Sequence, residues 1–311
     1  MAHTSIKISV VGAGFVGSTI AYTLMMKGVA SEIVLVDVNA KKAEGEAMDI
    51  AHGAPFAAAS IVRAGDYADT AGSDLVIITA GTNQRPGETR IDLIGRNSAI
   101  MHDCAKNVAA HSPDAVLLIV SNPVDVMSYE AWKVSGFPKE RVIGSGTVLD
   151  SARFKYLLSQ AFKIDARNIH GYILGEHGDS EFAAWSLVNI AGMDIDEASH
   201  AFGDAFTAET REQIAKATRD AAYHIIDRKG ATYYGIGMSA TRIAEAIVRD
   251  EQAIMSVSTL LSGEYGIEDV YLSVPAVLGE HGIVKVLTPK LADSEIAELR
   301  KSAELLKQVR S

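Results

Sequence analysis

A single cysteine, Cys104, stands among 311 residues. One thiol excludes an intramolecular disulfide framework and any multi-cysteine metal site, and no metal is expected; the scarcity suits a reducing compartment. Basic residues are outnumbered: 29 Lys and Arg against 39 Asp and Glu leave a formal net charge of −10. That balance speaks against general nucleic-acid binding, which needs a basic surface to neutralise phosphates. It leaves room for a local basic pocket around a small anion. Long apolar runs are missing as well. The most hydrophobic stretches, 75–80 and 115–120, fall far short of the roughly 20 residues that span a bilayer. The N-terminus has no basic start, and the apolar stretch 6–16 is broken by Gly12 and Gly14. That is the pattern of a buried strand and turn rather than of a secretion signal. The chain reads as cytoplasmic, with neither a membrane nor a nucleic acid as partner. It has no internal repeat and no low-complexity linker.

What is present is material for a large core, with 48% hydrophobic and 22% charged residues. Apolar runs and helical patterns alternate through the first half. Strands are expected at 6–11, 33–36, 61–64, 75–79 and 116–120, and helices at 15–27, 40–52, 97–110 and 124–134. Strands that are apolar throughout belong to a sheet covered on both faces. Alternation with helices implies right-handed crossovers and an α/β fold, an N-terminal Rossmann-type doubly wound parallel sheet. The second half differs. Long helical patterns cover 208–228 and 239–249. β-rich stretches follow at 254–260 and 270–278, a Gly279–Gly282 turn leads into 283–286, and a last helix carries Ile296, Leu299, Ala303 and Leu306 on one face. The expected division is residues 1–145, a dinucleotide-binding domain, and residues 146–311, an α+β substrate domain.

The first strand runs into Gly12-Ala13-Gly14-Phe15-Val16-Gly17, a G-x-G-x-x-G opening a helix. Gly12 permits the tight turn, Gly14 lets a pyrophosphate approach the backbone, and Gly17 lets helix and strand pack closely. Phosphates would sit on the helix N-terminus, where N–H groups and the dipole attract anions. Phe15 and Val16 lie in the same cofactor-facing turn. Asp37 ends the second strand 20 residues after Gly17, where an acid meets the adenosine ribose hydroxyls. Its carboxylate would repel a 2′-phosphate, which favours NAD over NADP.

Hydride chemistry needs a proton partner, and histidine is the default candidate because it titrates near neutrality. Among nine histidines, one tetrapeptide recurs: Gly175-Glu176-His177-Gly178 and Gly279-Glu280-His281-Gly282. The second lies between two β-like runs and reads as a solvated hairpin turn. Asp150 and Arg153 in Val148-Leu149-Asp150-Ser151-Ala152-Arg153 share a helix face three residues apart. They can form an intrahelical salt bridge, or Asp150 can orient a histidine while Arg153 binds a substrate carboxylate bidentately. The polar segment Thr82-Asn83-Gln84-Arg85-Pro86-Gly87-Glu88-Thr89-Arg90 follows a strand end, where ligands bind in open α/β sheets.

These motifs, with Ser121-Asn122-Pro123-Val124-Asp125 and Gly230-Ala231-Thr232-Tyr233-Tyr234, resemble the lactate/malate dehydrogenase family over essentially the whole chain. The resemblance implies an NAD-dependent 2-hydroxy acid dehydrogenase. His177 would donate and accept the proton, paired with Asp150. Arg90, on a closing loop, would polarise the carbonyl, Arg153 would hold the carboxylate, and Asn122 would lie near nicotinamide and substrate. Gln84 occupies the position where malate enzymes carry an arginine for a second carboxylate, and Thr232 matches the lactate-type pocket residue. Pyruvate and lactate are therefore the expected substrates, with malate dehydrogenase as the alternative; Arg85 is the competing cation. Lys155 and His170 match a fructose 1,6-bisphosphate effector site, although lysine loses the bidentate fork of the usual arginine. A homotetramer is implied, with a dimer as the alternative.

Two rivals have weaker support. Tyr129-x-x-x-Lys133 matches the proton-transfer pair of short-chain dehydrogenases, but that reading leaves Asp150, Arg153 and His177 unexplained. A catalytically silent NAD-binding protein would need the glycines and Asp37 but not the catalytic set. Cys104 reads as a small core residue.

Overall fold

The computed structural model describes residues 5–82, 90–203 and 206–310, without the side chains of Arg90, Ile91 and Arg310. The segment 83–89, which carries Gln84, lies outside the described residues.

The chain begins β1 (Lys7–Val11), α1 (Phe15–Lys27), β2 (Glu32–Val36), α2 (Ala40–His52), β3 (Ile61–Gly65) and β4 (Leu75–Ile78). It continues α3 (Arg90–His111), β5 (Val116–Ile119), α4 (Val124–Ser135) and β6 (Val142–Gly144). The six strands are parallel, in the order β3-β2-β1-β4-β5-β6. This is the doubly wound arrangement that the alternating pattern predicts, and ligands bind at its switch point between β1 and β4. Every residue of β4 and β5 is buried, so their sequences, LVII and VLLI, are apolar without alternation. Helix α3 starts at Arg90, seven residues before the expected start at 97. Polar residues on its first turns mask the apolar period there. Cys104 is buried in that helix, as expected of a core residue.

The second half carries α5 (Val148–Phe162), β7 (Ile169–His170), β8 (Ile173–Leu174), β9 (Phe182–Ala183), β10 (Asn189–Ile190), α6 (Ile195–Ala201) and α7 (Ala208–Lys229). Then come α8 (Tyr234–Val248), β11 (Ala253–Ser262), β12 (Glu268–Gly279), β13 (Gly282–Val286) and α9 (Asp293–Arg310). The two-residue strands pair antiparallel, β10 with β7 and β8 with β9, too short to leave a sequence period. Helix α6, also unanticipated, is fixed by an Asp194–Glu197 capping box.

Two compact units form. The first comprises Met1–Ser145, Tyr233–Ile254 and Val277–Lys285; the second comprises Gly146–Thr232, Met255–Ala276 and Val286–Ser311. The first unit thus takes α8 back from the later sequence. The helix lies so close to α1 that a Cβ on Gly237 would come within 2.5 Å of Thr19 Cγ2. Lys27 and Glu245 form an ion pair across the same packing. The second unit is built around Phe154, Leu158, Phe162, Ile173, Ile190 and Ile214. Phe154 meets Trp185 edge to face at 5.0 Å between ring centroids.

Candidate active site

Gly12 leaves β1 with φ +104, and a Cβ there would sit 2.7 Å from Thr79 Oγ1. A Cβ on Gly17 would lie 1.8 Å from the Gly12 carbonyl oxygen, a contact that no side chain survives. Gly14 has open space where its Cβ would be. Gly12 and Gly17 are therefore demanded by the protein's own packing, whereas Gly14 leaves room at the backbone. Gly14 is also the N-cap of α1 and supplies no side-chain cap, which leaves the first-turn N–H groups for an anionic ligand. Phe15 projects from that turn, 70% exposed, and stacks on Tyr233 at 5.3 Å. Val16, beside it, is half-buried.

Asp37 follows β2 and accepts the backbone N–H of Ala13 on Oδ2 at 2.7 Å and that of Asn39 on Oδ1 at 2.8 Å. The acid thus sits beside the glycine turn, and each oxygen keeps a further lone pair for a ribose hydroxyl. The turn, the uncapped helix and the carboxylate together fit a dinucleotide.

Asn122 begins the turn into α4, exposed, with a cis peptide to Pro123. Its carbonyl accepts Asn97 Nδ2 at 2.9 Å. The Asn97 amide also joins Thr82, receiving its backbone N–H at 3.0 Å and donating to its carbonyl at 3.2 Å. Asn97 is buried within α3, so this one side chain ties together the ends of β4 and β5. Sequence reading passed over it. Its only signal is an amide on the inward face of a helix, which needs partners once buried.

In the second unit, α5 places Asp150 one turn from its start, 1% exposed. One carboxylate oxygen meets His177 Nδ1 at 2.6 Å, and the other receives Arg153 Nη1 at 2.7 Å. The intrahelical bridge between Asp150 and Arg153 therefore exists, and the second oxygen of the same carboxylate contacts His177. Burial by itself would raise the Asp150 carboxyl, but the facing His177 and Arg153 outweigh it and hold it below the usual carboxylate range.

His177 sits in a loop pinned at several points. Gly175, at φ +95, exchanges backbone hydrogen bonds with Ser273 at 3.1 and 3.0 Å. Ser302 on α9 accepts the Glu176 N–H at 2.7 Å and bonds the Ser180 hydroxyl at 2.9 Å. Tyr223 of α7 donates its hydroxyl proton to Asp179 at 2.9 Å. Ser302 and Tyr223 are far from the loop in sequence and carry no motif, so only the fold brings them to it.

Other expected residues fall elsewhere. Thr232, half-buried, follows α7. Lys155 is half-buried on α5, where burial lowers its ammonium pKa, and His170 is exposed on β7. His281 occupies the exposed turn between β12 and β13. Lys133 lies over the rings of Tyr129 and Trp132 at 5.4 and 5.5 Å, a cation–π packing arrangement. Gln84 lies outside the described residues, and Arg90 is described in its backbone alone.

Comparison with known proteins identifies relatives along the whole chain. The lactate/malate dehydrogenase NAD binding domain matches residues 6–144, and the family's alpha/beta C-terminal domain matches 147–310. L-lactate dehydrogenase 1 of Clostridium acetobutylicum is 55% identical over 302 residues, covering 97% of this chain and 96% of its own. The L-lactate dehydrogenase of Acetivibrio thermocellus is 54% identical over 303 residues, with 97% and 96% coverage. The crystal structure of a minor L-lactate dehydrogenase from Enterococcus mundtii superimposes with a TM-score of 0.96 at 44% identity, covering 99% of this chain and 98% of that one. With both domains of the family matched across residues 6–144 and 147–310, and relatives more than half identical over nearly the whole chain, the chain belongs to the lactate/malate dehydrogenase family.

Proposed function

We propose that this protein is an NAD-dependent L-lactate dehydrogenase that interconverts pyruvate and (S)-lactate. The observation that carries the reading is the Asp150–His177 pair, 2.6 Å apart, with Arg153 on the same carboxylate. NAD, held by the turn at Gly12, Gly14, Phe15, Val16 and Gly17 and by Asp37, supplies the hydride acceptor when bound. The chain's residues handle the proton and the substrate. Asp150 occupies His177 Nδ1 and so assigns proton exchange to Nε2. Its negative charge stabilises the imidazolium, which gives its proton to the carbonyl oxygen in pyruvate reduction and recovers one in lactate oxidation. Arg153 keeps further N–H donors for the substrate carboxylate. Arg90 polarises the carbonyl, and exclusion of water from the bound substrate keeps these charge interactions strong. Asn122 and Thr232 complete the substrate contacts.

Gln84 favours pyruvate over oxaloacetate, because a neutral amide cannot offset a second buried carboxylate. Among the described residues no helix is long and apolar enough to cross a membrane. A reducing cytoplasm suits the lone buried thiol, and fermentative glycolysis supplies both pyruvate and NADH. A homotetramer follows the family pattern, with Lys155 and His170 as an anionic effector site for fructose 1,6-bisphosphate. The test is NADH oxidation by purified protein with pyruvate or oxaloacetate, each with and without the bisphosphate. Pyruvate preference supports the reading, and oxaloacetate preference makes the protein a malate dehydrogenase. A rate unchanged by the bisphosphate removes the effector role.

A further inference from the structure

Four residues beyond His177, Glu181 is 7% exposed, and its Oε1 has no hydrogen-bond partner among the described residues. Ligand atoms of Glu181, Asp150 and His177 all lie within 4.8 Å of one another. A carboxylate so placed adds a second negative charge beside the ionised Asp150, with its Oε1 unpartnered among the described residues, and such burial favours the neutral acid. The surroundings do not reverse this. Arg153 of α5 is engaged by Asp150. Arg219 of α7 lines the same cavity of about 360 Å³, but so do Glu295 and Glu298 of α9. Glu295 is bound by the Ser186 N–H and hydroxyl, and Glu298 pairs with Lys301. Burial first, then the Asp150 charge, pushes the Glu181 carboxyl up to about 8.

We propose that Glu181 is a positioning residue acting on His177: as a neutral acid it leaves the imidazolium free to surrender its proton, and as a carboxylate it holds that proton on the ring. The inference rests on the reading of His177 as the proton donor. In pyruvate reduction the Nε2–H bond breaks and the product O–H forms; Glu181 exchanges its own proton with solvent and never with substrate. Its ionisation adds one negative charge within about 5 Å of the imidazole, which raises the pH at which the imidazole loses its proton. The pair therefore titrates as a unit with Glu181 rather than as a single group.

Glu181→Gln fixes the neutral state with nearly the same shape. The expected result is that the alkaline limb of kcat/KM for pyruvate moves to lower pH, by on the order of one unit. Lactate oxidation gains over the same range, and NADH affinity is kept. A limb that superimposes on the wild type, or moves upward, overturns the proposal. His177→Asn separates the two readings: substantial turnover there refutes the proton-donor assignment, whereas an inactive His177→Asn beside an unshifted E181Q refutes only the role of Glu181. The infrared difference between wild type and E181Q needs no turnover. A protonated carboxylic-acid band at neutral pH, present in wild type and lost in the variant, supports the proposal, and a carboxylate band in its place overturns it.

Discussion

The Asp37 carboxylate receives the backbone N–H of Ala13 at 2.7 Å, so the acid proposed to bind the ribose also fastens the glycine turn proposed to bind the phosphates. Asp37→Ala loses both. Hydrogen bonds to a charged group contribute about 1.5–3 kcal/mol, so NADH should bind roughly 10- to 100-fold more weakly by fluorescence titration. Asp37→Asn keeps an acceptor but not the charge. It should bind NADH at an intermediate affinity and narrow the preference over NADPH. An unchanged affinity in both variants would remove Asp37 from the cofactor site.

Gly17 and Gly14 should separate stability from binding. A methyl group at Gly17 meets the Gly12 carbonyl oxygen at 1.8 Å, so Gly17→Ala must displace the turn, lower the melting temperature and abolish NADH binding. Gly14→Ala meets no atom within 4 Å. Its melting temperature without cofactor should stay near the wild-type value while NADH affinity falls. Equal melting losses in the two variants would contradict this division.

Asn97 holds the Thr82 backbone and the Asn122 carbonyl through one buried amide. Asn97→Ala strands those groups, at about 1–3 kcal/mol for each buried group left unpaired. Both thermal stability and kcat for pyruvate should fall, although Asn97 itself needs no contact with substrate. Full activity in Asn97→Ala would show that the Asn122 turn holds itself.

Gln84→Arg supplies the cation that a second substrate carboxylate requires. The ratio of kcat/KM for oxaloacetate to that for pyruvate should rise by at least about tenfold, since matching a buried charge outweighs 1.4 kcal/mol. An unaltered ratio would place another residue opposite the substrate side chain.

Glu181 also ties stability to pH. In the unfolded chain its carboxyl titrates near the ordinary ~4.3, and in the folded protein near 8. Between these values the folded state binds a proton that the unfolded state lacks. Stability is therefore fully present below the lower value and is lost as pH rises toward the upper one. Glutamine carries no such linkage. E181Q should match the wild type in melting temperature near pH 4 and exceed it by a few degrees, roughly, near pH 8. A constant difference across that range would mean that Glu181 is ionised in the fold.

Much of the molecule is legible in its order of residues. The apolar runs LVII and VLLI in β4 and β5 can lie only in a sheet covered on both faces. Gly12, Gly17 and Asp37 hold local backbone geometry over short separations, and Asp150 and Arg153 are neighbours by helical period. Such features depend on contacts close along the chain, and spacing encodes them directly. The choice between His177 and His281 is of another kind, because the two tetrapeptides are identical. Their difference is that Asp150 meets the first at 2.6 Å while the second lies in an exposed turn.

The same holds for Asn97 beneath Asn122, Ser302 beneath Glu176 and α8 against α1, each joined across 25 to more than 120 residues. It holds most clearly for Glu181. By sequence it is one acid among 39 Asp and Glu. Local spacing determined the fold class, the glycine turn with its Asp37, and the Asp150–Arg153 neighbourhood. Tertiary structure alone decided which polar groups are buried, because desolvation and the charge of a distant neighbour arise only when the chain has closed around them.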